Sequence, residues 1–385
     1  MYRLIGLLTL GILLIVISNT SAATPTSYWS NFPKAKAAGW DKSTFFPIGV
    51  WYDLPENAQK LRDSGVNTMV VVANPQAGLL KTVGEQTGMF FIPQSDWTPD
   101  MVVDSPNVVG WFSADELDMT SQTPVEDQAT IVNDLKSRDD GRFTYANYGK
   151  GIMNSWWSAG KMPALVSGVD VSSFDLYGYT DSNLPYELTF APAWGSGNAA
   201  SSGLYGWATD QLRSYAPTHP AWAFVELGHP FGGDYGGTNI PDHVIGSVWS
   251  EIIHGATGII YFNHSFGGAR ISYHLIEDDP WIAFAVRQVN QQITTLAPVI
   301  NTPTLVWNFN SGTDTILKKR SGQYYIFSGI DRNGVTGVKT FRLPTGTVGR
   351  TVTVLNEGRT IPVTNGTFTD NFQYEYTNHI YKLTA

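Results

Sequence analysis

Between residues 45 and 265, short apolar runs that end in polar or aromatic residues recur eight times: Phe45–Tyr52, Thr68–Ala73, Met89–Gln94, Val108–Glu116, Arg142–Tyr148, Val169–Tyr179, Ala221–Leu227 and Gly258–Ser265. Most of these runs are continuous rather than alternating, the pattern of strands buried on both faces of a parallel sheet. Helix-like segments lie between and after them at Pro55–Ser64, Leu79–Gln86, Pro124–Lys136, Gly206–Ser214, Pro241–His254 and Trp281–Leu296. The first has Pro55 in its opening turn, where a missing N–H costs nothing, and Gly65 just past its end as a stop. Eight such units from Phe45 to Ile300 match the roughly 250 residues of a (β/α)8 barrel. The competing open doubly wound sheet often carries a glycine-rich phosphate turn, and none follows any of these strands. The pattern therefore predicts an α/β protein with a TIM barrel over residues 24–302.

After Pro303 the pattern changes. Short alternating runs at Thr304–Phe309, Asp314–Lys318, Gln323–Ile330, Gly337–Leu343, Thr351–Leu355 and His379–Leu383 are punctuated by Ser321-Gly322, Asn333-Gly334 and Asn365-Gly366. They predict a small antiparallel β-sandwich over residues 303–385. At the other end, Met1–Arg3 carries one positive charge, Leu4–Ile17 is an uninterrupted run of apolar residues with Gly and Thr, and Ser18–Ala23 is small and polar. This is the three-part pattern of a cleavable signal peptide over residues 1–23, and its apolar run is short of the ~20 residues that span a bilayer. The expectation is a secreted or periplasmic protein, bacterial in character, with no membrane attachment once the leader is removed.

Composition narrows the chemistry. With no Cys there is no disulfide framework, no thiolate metal site, no cysteine nucleophile and no lipid attachment after the leader. Only 24 residues are Lys or Arg against 33 Asp or Glu, and a net charge of -9 argues against a nucleic-acid partner. Charged residues make up 15% of the chain, while 13 Trp, 18 Tyr and 19 Phe give an aromatic excess. That balance favours an uncharged, ring-shaped partner such as a carbohydrate. There is no Gly-x-Ser-x-Gly elbow, no His-Glu-x-x-His and no phosphate-binding loop. No cofactor or metal is expected, and the protein is expected to act as a monomer.

In a (β/α)8 barrel the chemistry sits at the C-terminal ends of the strands. The fourth run ends in Ala114-Asp115-Glu116 and the seventh in Val225-Glu226-Leu227-Gly228. Two carboxylates at strand tips three positions apart in a ring of eight can face one pocket, and glycoside hydrolysis needs such a pair. The stretches Gly110–Glu116 and Trp222–Gly228 resemble the acid/base and nucleophile strands of the clan A retaining glycoside hydrolases. The resemblance implies Glu116 as general acid and then base, and Glu226 as nucleophile. The sequence departs from that group at Asp115, where an Asn is usual. An Asp can accept from a sugar hydroxyl but cannot donate an amide hydrogen.

Supporting residues are drawn from the other strand ends. The resemblance implies a tyrosine near the end of strand six that bonds the nucleophile, and Tyr177 and Tyr179, on one strand face, are the candidates. Asp175 is a third strand-end carboxylate and the candidate partner of Glu116 in an inverting mechanism. Asn147, Asn263, His264 and His229 lie where side chains could bind sugar hydroxyls, and Trp51 and Trp194 where indoles could stack on sugar rings. The reading is a hydrolase of β-linked poly- or oligosaccharides. An inverting hydrolase, a transglycosylase and a barrel that binds glycans without cleaving them remain open alternatives.

Overall fold

The computed structural model describes residues 25–102, 105–231, 239–268 and 270–385. The leader at 1–23 and the Gly232-Gly233-Asp234 loop lie outside the described residues. Eight parallel strands form one sheet: β1 (Ile48–Asp53), β2 (Thr68–Val72), β3 (Phe90–Ile92), β4 (Gly110–Asp115), β5 (Phe143–Tyr148), β6 (Val171–Phe174), β7 (Ala221–Glu226) and β8 (Gly258–Phe262). Their order is β3-β2-β1-β8-β7-β6-β5-β4, and parallel bridges Phe91–Val108 and Gln94–Phe112 bring the two outer strands together into a barrel. β2, β5 and β7 are buried at every position, which explains why they read as unbroken apolar runs.

The strands' N-terminal mouth is plugged by aromatics. Residues 25–45 run beneath it, anchored by the Tyr28 hydroxyl on the Asp170 carbonyl (2.7 Å) and by the Lys34 N–H on the Gly141 carbonyl (3.1 Å). Trp29 and Trp40 meet edge to face at 4.9 Å and both pack on Trp222 and Phe143. With that end sealed, the opposite mouth is left for ligands.

Two local differences from the sequence pattern shape the site. β6 ends at Phe174, short of Tyr179, because the N–H groups of Gly178 and Tyr179 turn to side chains, the Tyr205 hydroxyl and the Glu226 carboxylate, rather than to a neighbouring strand. Tyr177 and Tyr179 therefore share no strand face and point their hydroxyls to different partners, Asp175 and Glu375. The helix expected from Gly206 begins at Ser202 and runs to Tyr215, which puts Tyr205 on its first turn.

The C-terminal domain holds a five-stranded antiparallel sheet, order β13-β12-β15-β10-β9, and a two-stranded ribbon, β11-β14. The strands are β9 (Asp314–Arg320), β10 (Gln323–Gly329), β11 (Gly337–Arg342), β12 (Thr351–Val354), β13 (Arg359–Pro362), β14 (Thr367–Phe372) and β15 (Asn378–Thr384). Phe341 and Phe368 of the ribbon stack at 4.8 Å and pack on Tyr381 of the sheet, forming a separate core. The run Thr304–Phe309 makes only a single bridge, Leu305 to Leu317, and β13 and β14 come from a stretch whose alternation is too weak to read. The domain packs against the barrel: Trp249 stacks on Phe327, and His254 bridges Asp210 of the barrel and Asp314 of the sheet at 2.8 and 3.0 Å. No helix among the described residues is long and apolar enough to cross a membrane.

Candidate active site

β4 delivers Asp115 and then Glu116, whose backbone is left-handed at φ 46°. A non-glycine residue in that region costs of order 1–3 kcal/mol and is held there by its surroundings. Here the Glu116 N–H is tied to the Asn147 carbonyl at 3.0 Å. Its side chain lies over Gly149, where a Cβ would come within 2.8 Å of Oε1 and closer still to Met119 Sδ, so a larger residue there would push both side chains aside. Asp118, two residues on, is buried and accepts from the N–H groups of Gly149 (3.1 Å) and Gly151 (2.7 Å), pinning the loop after β5.

Around Glu116 the acidic groups crowd one another. Burial, followed by the charges of Asp115 and Asp118, pushes its carboxyl up to about 7, against the opposing hydrogen bond with Asp175 and the charge of Lys150. Burial and the neighbouring Glu116, Asp115 and Asp118 hold Asp175 well above the usual carboxylate range. Glu116 and Asp175 therefore influence one another's ionisation. Asn147 serves this group from behind: it is buried, donates to Asp115 at 3.0 Å and accepts from Ser173 at 2.6 Å, and Tyr145 bonds Ser173 in turn.

Glu226 closes β7 and is fully buried. The Tyr205 hydroxyl donates to its Oε2 at 2.5 Å and the Tyr179 N–H to its Oε1 at 3.2 Å. Tyr205 in turn accepts from the Gly178 N–H at 3.1 Å. A Cβ on Gly178 would lie 2.6 Å from Leu204 and 2.7 Å from the Ala199 carbonyl, so the approach requires glycine. The Asn239 amide bonds the Glu226 carbonyl. Burial pushes the Glu226 carboxyl up to about 8, with the Tyr205 and Tyr179 hydrogen bonds pulling the other way. Burial thus raises both strand-end carboxyls above the ordinary carboxylate range.

The remaining candidates differ in what surrounds them. Tyr177 lies at the mouth, its hydroxyl 3.3 Å from Asp175 and its ring packed on Phe231 and Phe262, and it feels the charges of Asp175, Glu116 and Glu226. Trp51, partly exposed, is held edge-on by Phe112 and Phe224 at 5.1 and 5.3 Å. His264 donates from Nε2 to the Trp51 carbonyl and stacks on Phe266, and burial lowers its pKa, so the ring is neutral. Asn263 is fully buried between Asp53 (2.8 Å) and Glu277 (2.9 Å) and accepts from the Ile276 N–H, which ties β8 to β1. His229 is buried beside Gly268 and bonds Ser265 and Phe266 through its backbone. Trp194 is buried against Trp207 and under Arg332 of the C-terminal domain, a packing position.

Asp53, His274 and Glu277 offer ligand atoms within 4.8 Å of one another, but Asp53 already accepts from Leu54, Asn57 and Asn263. Oδ1 takes two of these bonds and Oδ2 one, and the carboxylate ties the loop after β1 to β8. The residues that sequence reasoning missed are Tyr205, Asp118, Asn239 and Glu375. Tyr205 sits just ahead of an apparent helix start, and its reach to Glu226 has no signature in spacing.

No family model matches this chain, and no curated protein is similar to it in sequence. Solved structures share its fold. The maltogenic alpha-amylase AmyB from Thermotoga neapolitana superposes with a TM-score of 0.51 at 7% identity, over 88% of this chain and 99% of that one. AmyP in complex with maltose gives 0.52 at 8% identity, over 90% and 98%. The chain has the barrel-plus-sheet fold of solved glycoside hydrolases.

Proposed function

We propose that this protein is an exported glycoside hydrolase that cleaves β-linked poly- or oligosaccharides by double displacement. The observation that carries the reading is the pair of strand-end carboxylates at the open mouth: Glu116, crowded by acidic neighbours and raised to about 7, and Glu226, buried and held by two donors. In the first step the ionised Glu226 carboxylate attacks the anomeric carbon as Glu116 gives its proton to the departing oxygen. In the second, Glu116 takes a proton from water, which displaces Glu226 from the sugar. The Tyr205 hydroxyl and Tyr179 N–H, aimed at the two carboxylate oxygens, favour the ionised form and fix its direction.

Burial raises both carboxyls, so the reactive form, Glu116 protonated and Glu226 ionised, draws on the bound substrate to favour the Glu226 anion. A sugar that fills the mouth with hydroxyl groups and carries a developing positive charge stabilises the anion. The fold shared with the maltogenic alpha-amylase and with AmyP, solved with maltose, supports carbohydrate as the substrate class. The apolar run at Leu4–Ile17 supports export.

Reducing-sugar release from a panel of β-linked polysaccharides tests the proposal. Glu226→Gln is expected to lose nearly all turnover and keep glycan binding. A wild type that binds oligosaccharide and never releases reducing ends would leave a binding protein, not an enzyme. A first product of inverted anomeric configuration by NMR would remove Glu226 as nucleophile.

A further inference from the structure

We propose that Glu375, contributed by the C-terminal domain, is a positioning residue for the nucleophile, so that the appended sheet completes the active site of the barrel. This rests on the reading of Glu226 as nucleophile. Glu375 lies on the connection from β14 to β15, and its side chain enters the barrel between the loop after β6 and the helix Ser202–Tyr215. Oε1 accepts from the Tyr179 hydroxyl at 2.9 Å. Oε2 accepts from the Ser202 N–H at 2.8 Å, and the Glu375 carbonyl accepts from the Ser202 hydroxyl at 2.9 Å.

These two anchor points are the segments that supply the two donors to Glu226. Tyr179 gives its N–H to Oε1, and Tyr205, one helical turn from Ser202, gives its hydroxyl to Oε2. One carboxylate from the second domain therefore clamps both donors that orient the nucleophile. The Tyr179 ring is held further by His243, stacked parallel at 3.9 Å, and His243 packs edge-on against Tyr376 of the same connection. Burial holds His243 down at about 4, so it is a neutral spacer at working pH and adds no charge between Glu375 and Glu226. The first helical turn has no side-chain cap of its own, and Ser201 makes no capping bond, so the Ser202 N–H depends on Glu375.

The test uses the full chain and two readouts. Hydrogen-exchange mass spectrometry is read on peptides covering residues 176–182 and 202–206, with 143–148 in β5 as the reference. Turnover is read on 4-nitrophenyl β-D-glucoside, β-D-galactoside and β-D-xyloside. In Glu375→Ala the two peptides are expected to exchange about tenfold faster while the reference holds. On the probe the wild type hydrolyses, kcat is expected to fall about tenfold with KM changed less than about twofold. Glu375→Gln keeps one acceptor oxygen and should fall between wild type and Ala in both readouts, which covers the case in which Ala does not fold.

Unchanged exchange at 176–182 and 202–206 overturns the clamp, whatever the activity. Faster exchange with unchanged kcat overturns the positioning role. If the wild type hydrolyses none of these probes, kcat and KM are read on the β-linked polysaccharide from which it releases reducing sugar; if it releases none, the catalytic reading is what fails, and exchange alone still decides whether Glu375 holds the two segments.

Discussion

Tyr205→Phe isolates one atom of the site. The ring is fully buried and Phe fills the same space, so the change removes only the hydroxyl that donates to Glu226 Oε2 at 2.5 Å and releases the Gly178 N–H that it accepts. A hydrogen bond to a charged group contributes about 1.5–3 kcal/mol, and 1.36 kcal/mol corresponds to one pH unit of titration. Because the bond favours the ionised carboxylate, its loss should move the Glu226 titration upward by roughly one to two pH units from about 8. A β-glycoside with a 2,4-dinitrophenolate leaving group needs no proton from Glu116, so its rate follows Glu226 ionisation alone. For the wild type the acidic limb of kcat/KM should bend near pH 8; for Tyr205→Phe it should bend one to two pH units higher. At pH 7 the variant should be slower by about 10- to 100-fold, and the two curves should converge at high pH where Glu226 is ionised in both. A limb that stays in place, with or without a lower plateau, would refute the assignment of Tyr205 as the donor that sets Glu226.

Two further predictions concern the scaffold. Asp118→Asn keeps an acceptor for one of the Gly149 and Gly151 N–H groups and faces the other with a donor, so it should cost about 1–3 kcal/mol in urea unfolding. His254 titrates high: burial would lower it, but the hydrogen bonds it donates to Asp210 and Asp314 raise it to about 10. Its link between barrel and sheet therefore stabilises fully below the unfolded value near 6.5 and is lost as pH rises through about 10. The stability gap between wild type and His254→Ala, about 1–2 kcal/mol given the half-exposed Asp210, should be present at pH 6 and shrink towards pH 10.5. A gap independent of pH would remove the charge from the explanation.

The eight strands were legible because a parallel barrel strand buried on both faces has to be apolar along its length, and that requirement is written locally in runs such as Thr68–Val72 and Ala221–Glu226. The positions of Glu116 and Glu226 were legible for the same reason, since a carboxylate closing an apolar strand stands out against it. What each carboxylate meets was not. The donor to Glu226 comes from a helix twenty-one residues earlier and from a backbone N–H, and Glu375 reaches the same place from the far end of the chain. Such contacts depend on closure of the barrel and docking of the sheet, and hydrogen-bond partners so distant leave no periodicity behind. The raised titration of both carboxyls is likewise a product of burial, which only the tertiary structure decides. The amino-acid sequence by itself determined the barrel, the second domain and the two acids; three-dimensional packing decided which groups hold those acids, because solvent exclusion and hydrogen-bond direction are properties of the assembled mouth and not of any strand alone.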